Sequence, residues 1–264
     1  MEEIPQEIIS GTPKLFDLTD KTAVITGGSR GLGRGMALAL AACGVDVAVV
    51  SRSMKDLEVV VGEIGELGRK GLAVTVDVTD EKDVEKMVET VVTEFGKIDI
   101  LINSAGIVAL HPTPEFDVDG WQGIIDVNLR GTFLCCKHVG KVMLNQGGGK
   151  IVNMSSVRGL QGRANDPAYS ATKGAVNQLT KSLGIEWAKN NITVNAIAPT
   201  FIRTNLNAHL LDDKEWLDWI LGRIPKGRTG EIWDVFGTMV YLASSASDFI
   251  TGQVLYVDGG WTSA

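Results

Sequence analysis

The stretch "TAVITGGSRGLG" (residues 22–33) decides how the rest of the chain is read. Five residues, mostly apolar and β-branched, run into a glycine cluster, and a helical apolar pattern follows from Leu32 to Cys43. A strand that passes through glycines into a helix is the first half of a βαβ unit. The glycines permit a tight turn and close approach of a phosphate to the backbone. The helix start behind them offers unpaired N–H groups and the positive end of a dipole. This is not a Walker loop, because no Gly-Lys-Ser/Thr follows. Gly27, Gly31 and Gly33 are spaced GxxxGxG rather than GxGxxG. Alone, such a cluster could be no more than a tight turn.

Working outward, strand-like and helix-like segments alternate. "VDVAVV" (45–50), "LAVTV" (72–76), "IDILIN" (98–103), "KIVNMS" (150–155), "ITVNAIA" (192–198) and "VLYVD" (254–258) read as further strands. Helical patterns cover 55–69, 81–95, a long stretch around 121–145, a segment from 167, and the regions 213–222 and 231–244. Seven apolar runs with helices between them predict a doubly wound α/β fold: a seven-stranded parallel sheet with helices on both faces. Residues 17–264 read as one domain preceded by an extension, 1–16. Ligands are expected beyond the carboxyl ends of the strands, where 107–120 would form a pocket rim.

Composition narrows the function. The 264 residues are 44% hydrophobic and 22% charged, ordinary for a soluble globular chain, and their length is ample for a sizeable core. A net charge of −7 argues against nucleic acid or an anionic membrane as partner. Cys43, Cys135 and Cys136 make neither a disulfide framework nor a metal spacing, which suggests a reducing, cytoplasmic setting and no metal. The first twenty residues lack a basic start and an apolar run, so they are read as no signal peptide, and no stretch approaches a membrane span.

An acid at the end of the second strand would select NAD by bonding the ribose 2′-hydroxyl. Here Ser51 and Arg52 stand there instead. Arg52, with Arg30 from the glycine loop, could clamp a 2′-phosphate, which predicts NADP as cofactor. The alternative is that both arginines are solvated surface charge. Further on, "DPAYSATKGAV" (166–176) has the chemistry of a helix start, with Asp166 as cap and Pro167 at the first position. Tyr169 and Lys173 would share one helix face. A tyrosine titrates near ~10, too high for a base at neutral pH, but a lysine cation and the helix start both favour the phenolate.

Together these motifs resemble the short-chain dehydrogenase/reductase family. The matches are "TGGSRGLG" (26–33), Asp77-Val78, "NSAG" (103–106), Asn128, Ser156, "YSATK" (169–173), "VNAIAP" (194–199) and "VDGG" (257–260). Ser104 departs from the usual asparagine, and Thr200 from the usual glycine. The resemblance implies a single-domain Rossmann fold and a homotetramer, with the helices at 121–145 and 167–189 and the last strand at interfaces. It implies Tyr169 as general acid/base and Lys173 as ribose ligand that lowers the tyrosine's pKa. Ser156 would bond the substrate oxygen, and Asn128 would hold a water linked to Lys173. It also implies a dinucleotide held by Gly27, Ser29, Arg30, Gly31, Leu32, Gly33, Ser51 and Arg52. Asp77, Val78, Asn103, Ala105, Gly106, Thr200, Ile202 and Thr204 complete that set with Tyr169 and Lys173.

Other residues read blandly. Ser155 could substitute for Ser156 as hydrogen bonder. Asp126 and Asp166 read as surface and cap, Cys135 and Cys136 as packing, and His111 and His138 have no motif around them. Residues 200–230 mix apolar anchors with Arg203, Asn205, Asn207 and His209, and could form a lid in which Arg203 meets a carboxylate. The entry, the "RIPKGRTG" segment and the "VDGGW" end resemble the branch with gluconate 5-dehydrogenases and 2-deoxygluconate 3-dehydrogenases. The expected reaction is hydride transfer between NADP(H) and a secondary alcohol or ketone, a sugar acid or polyol. Reduction of 3-oxoacyl carriers or steroids is the alternative, and a non-catalytic NADP-binding sensor or scaffold is the competing class.

Overall fold

β1 (Thr22–Thr26) is buried along its whole length, and its side chains alternate between two cores. Ala23 and Ile25 enter one with Met36, Leu40, Leu57, Ile64 and Met239. Val24 enters the other with Val84, Met87, Leu134, Val139 and Trp187. That period-two alternation with both faces apolar is what a central parallel strand requires. Burying a side chain the size of Val24 or Ile25 contributes about 1.5–3 kcal/mol.

The structure, a computed structural model, describes residues 11–204 and 212–264. β1 is followed by α1 (Gly31–Ala42), β2 (Asp46–Ser51), α2 (Met54–Glu66), β3 (Gly71–Thr75), α3 (Glu81–Phe95) and β4 (Ile100–Asn103). Then come α4 (Val118–Ile125), α5 (Gly131–Gln146), β5 (Gly149–Met154), α6 (Pro167–Trp187) and β6 (Ile192–Pro199). α7 (Lys214–Leu221), α8 (Phe236–Ala243) and β7 (Val254–Val257) close the chain. The seven strands are all parallel, in the order β3-β2-β1-β4-β5-β6-β7. α1, α2 and α8 contribute to the first core, and α3, α5 and α6 to the second. The order reverses beside β1, so the carboxyl ends of β1 and β4 open a crevice.

Two expectations change. The long helix around 121–145 is two helices joined by a π-helical turn, Asp126–Arg130. Such a turn widens the helix by one residue and redirects side chains, here Asn128. The segment expected at 231–244 begins as a 3-10 turn (Ile232–Val235) before α8. Of the extension 1–16, residues 1–10 lie outside the described residues. Residues 12–16 form a short 3-10 turn against the C-terminal part: Ser245 Oγ donates to Leu15 O at 2.9 Å.

Candidate active site

The glycine loop is shaped by close approach. Gly27 has φ +67°, and a Cβ there would come within 2.9 Å of Ala105 Cα and N. At Gly33 a Cβ would lie 2.2 Å from Gly27 O. Gly28 N donates to Val50 O at 3.1 Å, which ties the loop to the end of β2. Thr26, the first residue of the glycine motif and not among the expected site residues, holds the other side: its Oγ1 accepts from Ser104 N and Ala105 N, both at 3.1 Å.

α1 starts at Arg30 with no side-chain cap, so its first N–H groups face the crevice without a protein side chain on them. Thr204 Cγ2 lies over Gly31, 4.0 Å from where its Cβ would be. Thr200 Oγ1 is buried and has no partner among the described residues. An uncapped helix start, a backbone cradle that a Cβ would fill and an orphaned hydroxyl fit a dinucleotide.

At the end of β2, Arg52 is exposed and its charge lowers the Asp77 carboxyl. The larger causes of that lowering are hydrogen bonds from Thr79 N and Oγ1 to Asp77 Oδ1, at 2.9 and 2.8 Å. Arg30 is exposed too, and neither arginine forms an ion pair among the described residues. Ser51 Oγ accepts from Ser53 N at 3.2 Å, and Val78 packs against Gly131. Ser29 and Leu32 flank the loop, half-buried.

Asn103 turns its side chain inward. Its Nδ2 donates to Asn153 Oδ1 at 2.9 Å and to Cys136 Sγ at 3.2 Å, and Asn153 Nδ2 donates to Thr180 Oγ1 at 2.9 Å. This buried polar ladder pins β4 to β5 and α6, and only the backbone of Asn103 borders the crevice. Ile202 is likewise buried, bridged to Gly230.

The four expected catalytic side chains come from three places: the π-helical turn, the loop just after β5, and α6. Asn128 stands in the π-helical turn, fully buried; its Oδ1 accepts from Ile107 N at 2.8 Å and its Nδ2 donates to Ile107 O at 2.9 Å. It therefore anchors the pocket rim to α6, where Nδ2 also reaches Thr172 Oγ1 at 3.2 Å. Lys173 is buried, and its Nζ donates to Met154 O, the last residue of β5, at 2.7 Å. Asn128 Oδ1 and Lys173 Nζ both border Gly106. Lys173 Nζ lies 5.4 Å from the centre of the Tyr169 ring.

Ser155 and Ser156 face different ways. Ser155 Oγ donates to Asn177 Oδ1 at 2.6 Å, inside α6. Ser156 hydrogen-bonds Tyr169. Burial pushes the Tyr169 phenol up to about 12, against which the Ser156 bond acts. Burial also draws the Lys173 ammonium down to about 8. Burial is the largest influence on the phenol and the Asp166 charge adds to it, while the Ser156 bond and the Arg158 charge oppose it.

Asp166 corrects another expectation. It precedes α6 at the cap position, but its carboxylate caps no backbone N–H. It is 1% exposed, and burial raises it to about 6. Arg158, missed in the sequence, is 8% exposed. Its guanidinium stacks on Phe201 and Trp261, 5.9 and 5.5 Å from the ring centres. The only local signal was its place two residues after Ser156. Arg203 pairs with Asp212 at 3.6 Å. Asn205, Leu206, Asn207, His209 and Leu210 lie outside the described residues.

The remaining candidates have structural partners. His111 packs edge-on to Phe116, and its N donates to Asn165 O at 2.8 Å. His138 meets Glu81 and Glu85, with Glu81 also held by Lys137. Cys135 and Cys136 are buried, and burial pushes the Cys135 thiol up to about 12, as expected of packing residues.

A doubly wound sheet with a glycine-shaped phosphate turn, and a tyrosine, lysine and serine gathered beyond the strand ends, defines a nucleotide-dependent oxidoreductase class. A family model described as Enoyl-(Acyl carrier protein) reductase matches residues 27–262. The 2-dehydro-3-deoxy-D-gluconate 5-dehydrogenase of Dickeya dadantii is 41% identical over 93% of this chain and 97% of its own. A 3-oxoacyl-[acyl-carrier-protein] reductase of Synechocystis is 40% identical over 92% of this chain and 97% of its own. A solved gluconate 5-dehydrogenase from Burkholderia cenocepacia, in complex with NADP and tartrate, superposes with a TM-score of 0.92. It is 37% identical, covering 95% of this chain and 98% of that one. The chain belongs to the short-chain dehydrogenase/reductase family.

Proposed function

We propose that the protein is an NADP(H)-dependent dehydrogenase that interconverts a secondary alcohol and a ketone on a sugar acid. The observation that carries this reading is the convergence of Ser156, Tyr169 and Lys173 beside a phosphate-binding turn whose neighbouring strand ends in Arg52 rather than an acid. Relatives that act on gluconate and its derivatives support the substrate class. The NADP complexes of structural neighbours support the cofactor. When bound, the nicotinamide supplies or accepts the hydride.

The chain's own residues handle the rest. Ser156 donates to the substrate oxygen, and Tyr169 passes it the proton in reduction or takes it in oxidation. Lys173 holds the nicotinamide ribose and keeps positive charge near the phenol, and Asn128 fixes the rim and α6 around it. Arg30 and Arg52 clamp the 2′-phosphate, while Gly27, Gly31 and Gly33 shape the phosphate turn. Residues 200–230 act as the substrate lid, and 17–264 as the catalytic domain. The protein works as a homotetramer in the cytoplasm, without nucleic acid; among the described residues no helix is long and apolar enough to cross a membrane.

A panel of sugar acids, polyols, 3-oxoacyl thioesters and steroids, each with NADP(H) and NAD(H), tests the reading by nicotinamide absorbance. Turnover is expected on sugar acids with NADP(H). Activity confined to acyl thioesters or steroids, or an NAD preference that survives saturating NADP, would reject it. Tyr169→Phe should lower turnover by about 100-fold or more while cofactor affinity persists. A sensor or scaffold would keep its output in that variant.

A further inference from the structure

Two buried polar atoms near Tyr169 have no partner among the described residues: Nη2 of Arg158 and Oδ1 of Asp166. Both residues are more than nine-tenths buried, at 8% and 1% exposure. Their charges act on each other and on Tyr169, yet no ion pair joins them. Asp166 Oδ2 accepts from Ser170 Oγ at 3.5 Å and Arg158 Nη1 donates to Gly162 O at 3.4 Å, so each charged group has one long hydrogen bond and one bare, buried atom, a costly arrangement in a folded chain. The cost is lifted if a ligand brings what is missing: an acceptor for the guanidinium and a donor for the carboxylate.

Arg158 is well anchored for such a task. Its backbone N donates to Ser156 Oγ at 3.2 Å, so it is fixed to the residue expected to hold the reacting oxygen. Its Nη1 leans on Gly162 O at 3.4 Å. Aromatic rings back the guanidinium, and they exclude water and strengthen any charge-assisted bond made there. Arg163 over Trp216 and Arg223 over Trp219, 5.7 and 4.6 Å from the ring centres, extend the same basic, aromatic wall. Both add positive charge that Arg158 feels.

We propose that Arg158 receives the carboxylate of a polyhydroxy acid while Asp166 Oδ1 accepts a hydrogen bond from one of its hydroxyls. The proposal rests on the sugar-acid reading above and assigns its recognition to two named residues in place of Arg203. A ketone with neither group leaves both atoms unpaired, so the pair selects against steroid and acyl substrates as well as for hydroxy acids.

The test compares each sugar acid that the enzyme turns over with its methyl ester, in wild type, Arg158→Met and Arg158→Lys. Tartrate binding to the three proteins is measured in parallel by calorimetry in the presence of NADP, with thermal melting to verify folding. In Arg158→Met the ratio of kcat/KM for acid over ester should fall about 100-fold, and tartrate affinity should fall similarly. Arg158→Lys, which keeps the charge but not the planar fork, should lie between. An unchanged ratio and unchanged tartrate affinity in folded Arg158→Met would overturn the assignment while leaving the sugar-acid function standing. If wild type binds tartrate through Arg158 but turns over no sugar acid, the subsite stands and the proposed function falls. For Asp166→Asn, a polyol-bearing acid should lose more affinity than its deoxy analogue; equal losses would remove Asp166 from the pair.

Discussion

Asp166 and Tyr169, three residues apart, show how burial overrides sequence context. Each looks ordinary in a helix start, and burial raises each: Asp166 to about 6, Tyr169 to about 12. For Asp166 the consequence is a definite pH dependence. The unfolded chain releases this proton near the usual 3.8, whereas the folded chain keeps it to about 6. Between those values the folded state binds more protons, so stability falls as pH rises through the window. Asp166→Asn should therefore be the more stable protein at about pH 8, by about 1–2 kcal/mol, with the difference gone below about pH 4. Urea unfolding at both pH values measures this, and a variant less stable than wild type at the higher pH would refute it. Stability gained by removing a functional group is the expected trade at a ligand site.

Elements are held together here by places where a side chain is forbidden. A Cβ on Gly33 would collide with Gly27 O, so Gly33→Ala must spread the turn between β1 and α1. A loss of about 2 kcal/mol in stability and a marked weakening of NADP binding are expected, read by denaturation and cofactor titration. Gly62, inside α2, has nothing within 4 Å of the place a methyl would take, and no positive φ. Gly62→Ala should stabilise by about 0.5–1 kcal/mol without touching cofactor affinity. If the two variants behaved alike, close approach would not be what the loop glycine serves. The π-helical turn is a second device at this scale. It inserts one residue between α4 and α5, and Asn128 then faces Ile107 and Thr172. No feature of "WQGIIDVNLRGTF" distinguishes such a turn from a continuous helix, because backbone register is chosen by the packing partners.

Across the whole molecule, α6 carries two jobs. Its inner face holds Lys173 and Thr180 against β5 and Asn177 against Ser155 just beyond it, while Ile185 stands 80% exposed near a groove shared with β7. Leu160, 60% exposed, lines the same groove with Tyr256. These two exposed apolar side chains, one on the helix expected at an interface, support the proposed tetramer. Ile185→Glu should shift the assembly to smaller species in light scattering while leaving the melting curve cooperative. A wild-type protein that is monomeric at assay concentration would sink the tetramer itself.

Strand alternation, the glycine turn and the i,i+4 spacing of Tyr169 and Lys173 are local patterns, and the sequence by itself determined them. Each depends on residues a few positions apart, so the seven-stranded sheet and the Tyr169/Lys173 pair are legible locally, whereas Asn128 and Ser156 follow from the family resemblance. The family resemblance points to Ser156 over Ser155, and only the tertiary structure shows that Asn177 claims the Ser155 hydroxyl from another element. The Thr26 clasp, the Asn103–Asn153–Thr180 ladder and the unpartnered atoms Arg158 Nη2 and Asp166 Oδ1 likewise exist only in the tertiary structure. All of these join positions far apart in the chain or depend on how deeply a group is buried. Sequence spacing carries neither, because desolvation and partner geometry exist only once the helices have closed on the sheet.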